Sequence, residues 1–209
     1  MNHSSFQAIE TAIQALQEGK PIILTDSFNR ENEGDFVFPA EKITPDIMNF
    51  IIQHGCGIVC VSLCKEQLQR LQLPLMLSPE QNTTPQKTAF TIPVDAKKGV
   101  STGVSATDRA KTIQVLMDPQ TQPEDLVRPG HIYPLQAETN GVLARQGHTE
   151  GSIDIVRLAG FQPAAVICEV MATDGNIIKN QALLEFAQKW SISCLCIEDL
   201  VKYRLSFHI

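Results

Sequence analysis

The chain predicts a single domain of the α+β class, with a mixed sheet covered by helices. Three observations predict it. Segments with helical apolar spacing alternate with short apolar runs from end to end, and such runs need helices packed on a sheet. No repeat or linker divides the 209 residues, and the Gly and Pro residues are scattered as local punctuation. The pattern does not order the strands into one parallel series, so a mixed sheet is expected rather than a pure doubly wound one; neither Gly-x-Gly-x-x-Gly nor a Walker sequence occurs, so dinucleotide and NTP binding have no support.

Each element has a local cause. Ser4-x-x-Gln7 reads as a capping box, and Ile9, Ala12, Ile13 and Leu16 continue a helix that Gly19 ends. Pro21–Thr25 is a short buried strand, and Phe36–Phe38 resumes the sheet. Thr44-Pro45 fits an N-cap with Pro at the first helical position, starting a helix toward Gly55. Ile58–Leu63 reads as a strand and Lys65–Leu71 as a short helix, followed by an exposed polar loop over 78–87. Ala89–Val94 reads as a strand, Ser105 caps a helix to about Met117, and 118–130 is a connection. Ile132–Leu135 and Val142–Ala144 precede a helix that Thr149 can cap and Gly160 ends. Ala164–Val170 is a strongly apolar strand, Gln181–Lys189 a helix, Ile192–Ile197 a strand and Leu200–Leu205 a terminal helix.

Composition narrows the function. With 43% hydrophobic and 19% charged residues the chain can bury a real core. A net charge of −6 argues against a general nucleic-acid binder, and an anionic substrate would need local cations or a metal. No basic and apolar leader opens the chain and no run approaches a membrane span, so a cytoplasmic protein with reduced thiols is expected. Cys56, Cys60 and Cys64 recur every four residues, but no Cys-x-x-Cys occurs, and buried small hydrophobes are the expected role for most cysteines.

Five segments carry candidate chemistry. Arg30-Glu31-Asn32-Glu33-Gly34-Asp35 follows an apolar strand, and its crowded carboxylates suit a hard divalent cation such as Mg²⁺. Ser101–Arg109 leads hydroxyls and a glycine into a helix N-terminus, which favours a phosphate. His131 follows a Pro-Gly turn and suits titration near neutral pH. Arg145-Gln146-Gly147-His148-Thr149-Glu150 combines an anion cradle with an imidazole that suits Mg²⁺ or Mn²⁺ alongside carboxylates. Glu169 is a carboxylate in an apolar strand, suited to general acid or base work. Read singly, these are also a solvated acidic loop, two capped helices, a turn histidine and a strand-end glutamate.

Their joint order and spacing resemble the 3,4-dihydroxy-2-butanone 4-phosphate synthases over about Ile9–Tyr203, with His54-Gly-Cys-Gly-Ile-Val-Cys60, Asp174-Gly175 and Ile197-Glu-Asp-Leu200 as further matches. The resemblance implies a three-layer α/β/α fold and a lyase that converts D-ribulose 5-phosphate to L-3,4-dihydroxybutan-2-one 4-phosphate and formate in riboflavin biosynthesis. It implies two Mg²⁺ or Mn²⁺ ions per site and no organic cofactor. Glu31 would bind both ions and His148 one. Arg30, Glu31, Asp35, Arg145, Gln146, Gly147, His148 and Thr149 would hold the substrate, with Thr102 and Ser105 at its phosphate. His131 and Glu169 would be essential for catalysis, and Asp26, Glu33, Cys60 and Asp108 are further candidates. The resemblance also implies a homodimer with shared sites. No nucleic-acid or membrane partner is expected, nor the GTP cyclohydrolase II domain and zinc that follow in some members. Family members often carry an acidic run before the arginine, whereas this chain has Asp26-Ser27-Phe28-Asn29. A metal-dependent phosphatase or isomerase would use similar groups, and a sugar-phosphate-binding protein without turnover is the non-catalytic alternative. Only the lyase yields formate.

Overall fold

The computed structural model describes residues 3–208, and side chains from Phe6 onward. The capping box expected at Ser4 lies outside the described side chains. The elements are α1 (His3–Gln17), β1 (Ile22–Thr25), β2 (Gly34–Pro39), α2 (Pro45–Gly55), β3 (Cys60–Leu63), α3 (Lys65–Arg70), β4 (Val94–Ala96), α4 (Ala106–Met117), β5 (Leu126–Gln136), α5 (His148–Leu158), β6 (Ala164–Glu169), α6 (Asn180–Trp190), β7 (Cys194–Cys196) and α7 (Ile197–Phe207).

One seven-stranded sheet has the order β4-β5-β3-β6-β2-β1-β7. It is mixed: β1–β7 and β3–β5 run parallel, while β1–β2, β2–β6, β3–β6 and β4–β5 run antiparallel. Strand side chains alternate between two faces. Phe36, Phe38 and Val166 pack with Met48 and Ile51 of α2, Ile113 of α4 and Leu183 of α6. Val37, Leu24 and Ile167 pack on the opposite face with Ile9 and Leu16 of α1, Ile155 of α5 and Leu200 of α7. The result is the three-layer α/β/α arrangement. Among the described residues, no helix is long and apolar enough to cross a membrane.

Caps read from the sequence hold where they are local. Thr44 accepts from Ile47 N at 3.2 Å and Ser105 from Asp108 N at 3.1 Å. Other boundaries differ. Phe90 and Thr91 make only isolated bridges, and β4 begins after Pro93, whose missing N–H interrupts the ladder. β5 starts at Leu126, inside the expected connection, and opposite a register shift at Val94/Asp95 that accommodates Pro129 and Gly130. Before α5, Gly141–Leu143 forms a 3₁₀ turn, held by Val142 N donating to Asp154 at 2.9 Å. Gly147, not Thr149, is the N-cap of α5. The terminal helix starts three residues earlier than expected, at Ile197. All six cysteines are free thiols, with Cys60 and Cys168 buried and Cys56 exposed.

Asp154 also accepts from Arg204 at 2.8 Å, and side-chain exposures of 3% and 11% make this a buried pair that fastens α7 to α5. Removing one partner leaves a buried charge uncompensated. Arg204→Met is therefore expected to lower unfolding stability by about 3 kcal/mol, measured by urea denaturation.

Candidate active site

β1 delivers its chain end to a loop closed by one carboxylate. Asp26 is buried, and its Oδ2 accepts from Glu31 N and Arg30 Nη1, both at 2.9 Å. Its Oδ1 accepts from Glu33 N at 2.9 Å. Burial opposes ionisation, but the Glu33 and Glu31 amides hold the Asp26 carboxyl below its ordinary value. Asp26 thereby bends Arg30–Glu33 into one turn, and Arg30 also pairs with Glu31. The chain then enters β2, where Asp35 lies opposite Glu169 of β6 in the antiparallel register.

His148, the first residue of α5, is seated beneath this loop. α5 packs close to β1 because Gly151 has no side chain: a Cβ there would lie 2.8 Å from Leu24 Cδ2. His148 Nδ1 stands 3.7 Å from Glu31 Oε2, an ion-pair distance too long for a hydrogen bond. Burial opposes protonation of His148, yet Asp35, Glu31 and Asp26 push it up to about 9. His148 holds Glu31 below its ordinary value against the effect of burial. Burial pushes Asp35 up to about 7, with Glu169 and Glu31 adding to it and His148 opposing. Burial and then Glu31 raise Glu33.

Asp26, Glu31 and His148 can each bring one donor atom within 4.8 Å of the others. His148 Nε2 is buried without a hydrogen-bond partner among the described residues, and the carboxylates that favour a proton on this ring would equally favour a cation in the proton's place. Two carboxylates and an imidazole suit Mg²⁺ or Mn²⁺. The residues present therefore fit a divalent cation. Asp26 has its oxygens engaged by three donors, so Glu31 and His148 are the better placed to hold the ion.

A cavity of about 240 Å³ opens beside them. Arg30, Glu31, Glu33, Asp35, His148, Thr149 and Glu169 form its polar wall, and Ile58, Cys60, Phe90 and Ile167 its apolar one. Burial raises the Cys60 thiol well above its ordinary value, which leaves it a poor thiolate. Thr84–Gln86 cover the cavity, so the polar loop expected to be solvated is part of the site. Arg145 ties it down: Nη2 donates to Gln86 O and Thr88 Oγ1, both at 3.0 Å, while Nη1 pairs with Glu150 at 2.6 Å. Gln146 and Gly147 form the turn into α5 and do not line the cavity.

The remaining predicted residues form a second cluster. His131 on β5 is gripped at two points by Asp95 on β4: its N–H donates to Oδ1 at 2.9 Å and its Nδ1 lies 2.6 Å from Oδ2. Gly103 covers the pair, since a Cβ there would lie 2.6 Å from His131 Nδ1. Asp108 accepts from Ser101 N, Ser101 Oγ and Gly103 N, at 3.1, 2.7 and 3.0 Å, so this loop is held by its own carboxylate. None of His131, Thr102, Ser105 and Asp108 lines the cavity. Asp95 and Glu150 were not among the sequence candidates. The signal that singled out Glu169, a carboxylate in an apolar strand, did not reach Asp95, which falls one residue beyond the expected strand Ala89–Val94.

Known proteins give the arrangement its context. Residues 10–203 match the sequence profile of 3,4-dihydroxy-2-butanone 4-phosphate synthases. The chain is 49% identical over 203 residues to such a synthase from Haemophilus influenzae (strain PittEE), covering 97% of this chain and 94% of that protein. It is 48% identical over 199 residues to a probable bifunctional riboflavin biosynthesis protein, chloroplastic, of Oryza sativa subsp. japonica, covering 95% of this chain but only 36% of that protein. Among solved structures, a synthase in complex with two magnesium ions superimposes with a TM-score of 0.87 at 36% identity, covering 93% of this chain and 95% of that one. The two-domain RibBX synthase from A. baumannii gives 0.89 at 42% identity, covering 94% of this chain and 57% of that one. The sequence match spans both clusters, from the acidic loop to Glu169, and the backbone match covers nearly the whole chain; the chain belongs to the 3,4-dihydroxy-2-butanone 4-phosphate synthase family, which makes that compound from ribulose 5-phosphate in riboflavin biosynthesis.

Proposed function

We propose that this chain converts D-ribulose 5-phosphate to L-3,4-dihydroxybutan-2-one 4-phosphate and formate in the cytoplasm, as a homodimer whose two copies share each site. The carrying observation is the cavity itself, where Glu31, Asp35, Glu169 and the partnerless Nε2 of His148 converge. The five carbons of the substrate are divided into four and one, so bonds must be remade beside carbonyl groups while protons move to and from carbon and oxygen.

Two Mg²⁺ or Mn²⁺ ions held through Glu31 and His148, with Glu33 close by, would polarise adjacent substrate oxygens. The chain's own groups do the rest. Asp35, whose carboxyl is pushed up by burial in the metal-free chain, is placed at the cavity wall to take or give a proton. Glu169 offers a second carboxylate from the neighbouring strand. Arg30 supplies positive charge at the cavity wall against a phosphosugar. Arg145 holds Gln86 and Thr88 over the cavity and so limits water around reactive intermediates.

Asp95–His131 would complete the site from the second copy. In this arrangement the aspartate fixes Nδ1 and leaves Nε2 as the exchanging nitrogen. Its separation from the cavity within one chain supports sharing between copies. Phe28 is 78% exposed on the acidic loop, so it changes the loop's surface and leaves the clasp made by Asp26 intact.

Incubating the pure protein with ribulose 5-phosphate and Mg²⁺ should release formate, and EDTA should stop it. Consumption of substrate without formate would replace the lyase with an isomerase or phosphatase.

A further inference from the structure

The segment joining α2 to β3 does more than connect them. Cys56 adopts a left-handed backbone, with φ 66°, and turns the chain at the end of α2. Residues 55–58 then run along the end of β6: Met171 N donates to Gly55 O at 2.8 Å and Cys56 bridges Val170. At the end of this run, Ile58 N donates to Glu169 Oε2 at 2.8 Å. That amide lies before β3, which starts at Cys60.

Gly57 lies directly against Glu169. A Cβ at residue 57 would collide with Oε2 and would lie 2.8 Å from both the Cβ and the carbonyl oxygen of Glu169. The φ of Gly57 lies outside the left-handed region, so glycine is needed here for space and not for backbone conformation. Gly55 repeats the device one step earlier, where a Cβ would lie 2.9 Å from Cys168 Sγ and 3.1 Å from Glu169 O. The end of β6 is thus lined by side-chain-free backbone, with one amide aimed at the carboxylate.

We propose that Gly57 and the Ile58 amide are the positioning elements of Glu169: the missing side chain leaves room for its carboxylate, and the N–H fixes Oε2 so that the other oxygen serves the substrate. The inference rests on Glu169 acting as an acid/base group in the proposed reaction. A backbone N–H suits this task because it cannot titrate or change rotamer. With Oε2 engaged by the Ile58 amide at 2.8 Å, the second carboxylate oxygen is the one left to face the substrate. The carboxylate next to it across the ladder, Asp35, belongs to the same cavity, so a fixed Glu169 also fixes the spacing of the two.

Two measurements test it. The first needs no substrate: hydrogen exchange at the Ile58 amide should be slow in the wild type and in Glu169→Gln, which keeps an acceptor oxygen. It should be at least about 10-fold faster in Glu169→Ala. Unchanged exchange in Glu169→Ala overturns the anchoring, whatever reaction the protein performs, and this arm decides the matter if Gly57→Ala does not fold. The second is kinetic. Gly57→Ala should lower kcat about 10- to 100-fold, as for a catalytic group misplaced by about 1 Å. Its KM and metal affinity should stay within about twofold of the wild type, with the pH profile of kcat displaced. A folded Gly57→Ala with wild-type kcat and pH profile, or with kcat, KM and metal affinity all impaired together, overturns the positioning role.

Discussion

Glu31→Gln is expected to lower turnover at least about 1,000-fold, the equivalent of about 4 kcal/mol of transition-state stabilisation. Gln keeps the shape of the side chain but removes the anionic oxygen that stands 3.7 Å from His148 Nδ1 and pairs with Arg30. With that charge gone, a cation would lose the carboxylate that is less occupied than Asp26, whose two oxygens already accept three bonds. Arg30, still bonded to Asp26, no longer shares its charge with Glu31. The fold should survive, because Glu31 is only half-buried and the clasp at Asp26 depends on the backbone amide of residue 31 and not on its side chain. The check is formate release against Mg²⁺, with calorimetric metal affinity and a thermal melt on the same sample. Full formate production by the variant removes Glu31 from the mechanism.

Asp95→Asn is expected to cost about 100-fold or more in kcat, the usual scale for loss of a positioned acid or base. Asp95 accepts two bonds from His131, one from the backbone N–H and one at Nδ1. An amide has only one acceptor oxygen. If that oxygen keeps the backbone N–H, the NH₂ group faces Nδ1 and forces the proton onto Nε2, so the ring can no longer accept a proton at the exchanging nitrogen. Substrate affinity should change far less than rate, and steady-state kinetics on the purified variant separates the two.

The two variants together test the proposed homodimer and the sharing of its sites. Random reassociation of Glu31→Gln with Asp95→Asn places both wild-type groups in one of the two sites of every mixed dimer, which are half of all dimers. About a quarter of the wild-type activity should return from two inactive proteins. No recovery in verified mixed dimers would place both clusters in the service of one chain.

Local signals were legible in the sequence and distant ones were not. Thr44 and Ser105 cap their helices as read, because a cap needs only a side-chain oxygen and an amide three residues on. Glu31, Asp35, His148 and Glu169 were singled out by residue type; the β2–β6 register brings Asp35 to Glu169, and the loop after β1 and the start of α5 bring Glu31 and His148 to the same cavity. Asp95 escaped because its partner lies 36 residues away on β5. Its strand is three residues long, and Pro93 breaks the alternation that would have marked it. The polar loop over 78–87 is largely exposed, as its composition indicates, but nothing in that composition shows that Arg145 draws its end onto the cavity. Asp26 was weighed as one acid among several, whereas its worth lies in the amides it collects.

The β2–β6 ladder pairs Asp35 with Glu169 and Phe36 with Cys168. Neighbouring rungs therefore carry chemistry on one face and core on the other. A slip of one residue would turn every side chain of β2 over, pushing Asp35 into the apolar layer of Phe36 and Phe38 and forcing those rings into the layer packed around Val37. Such a chain cannot persist as a well-folded impostor, because the error that spoils the site also removes the hydrophobic anchor. This is a form of quality control: a mispaired chain fails to fold before it can pass for a working enzyme.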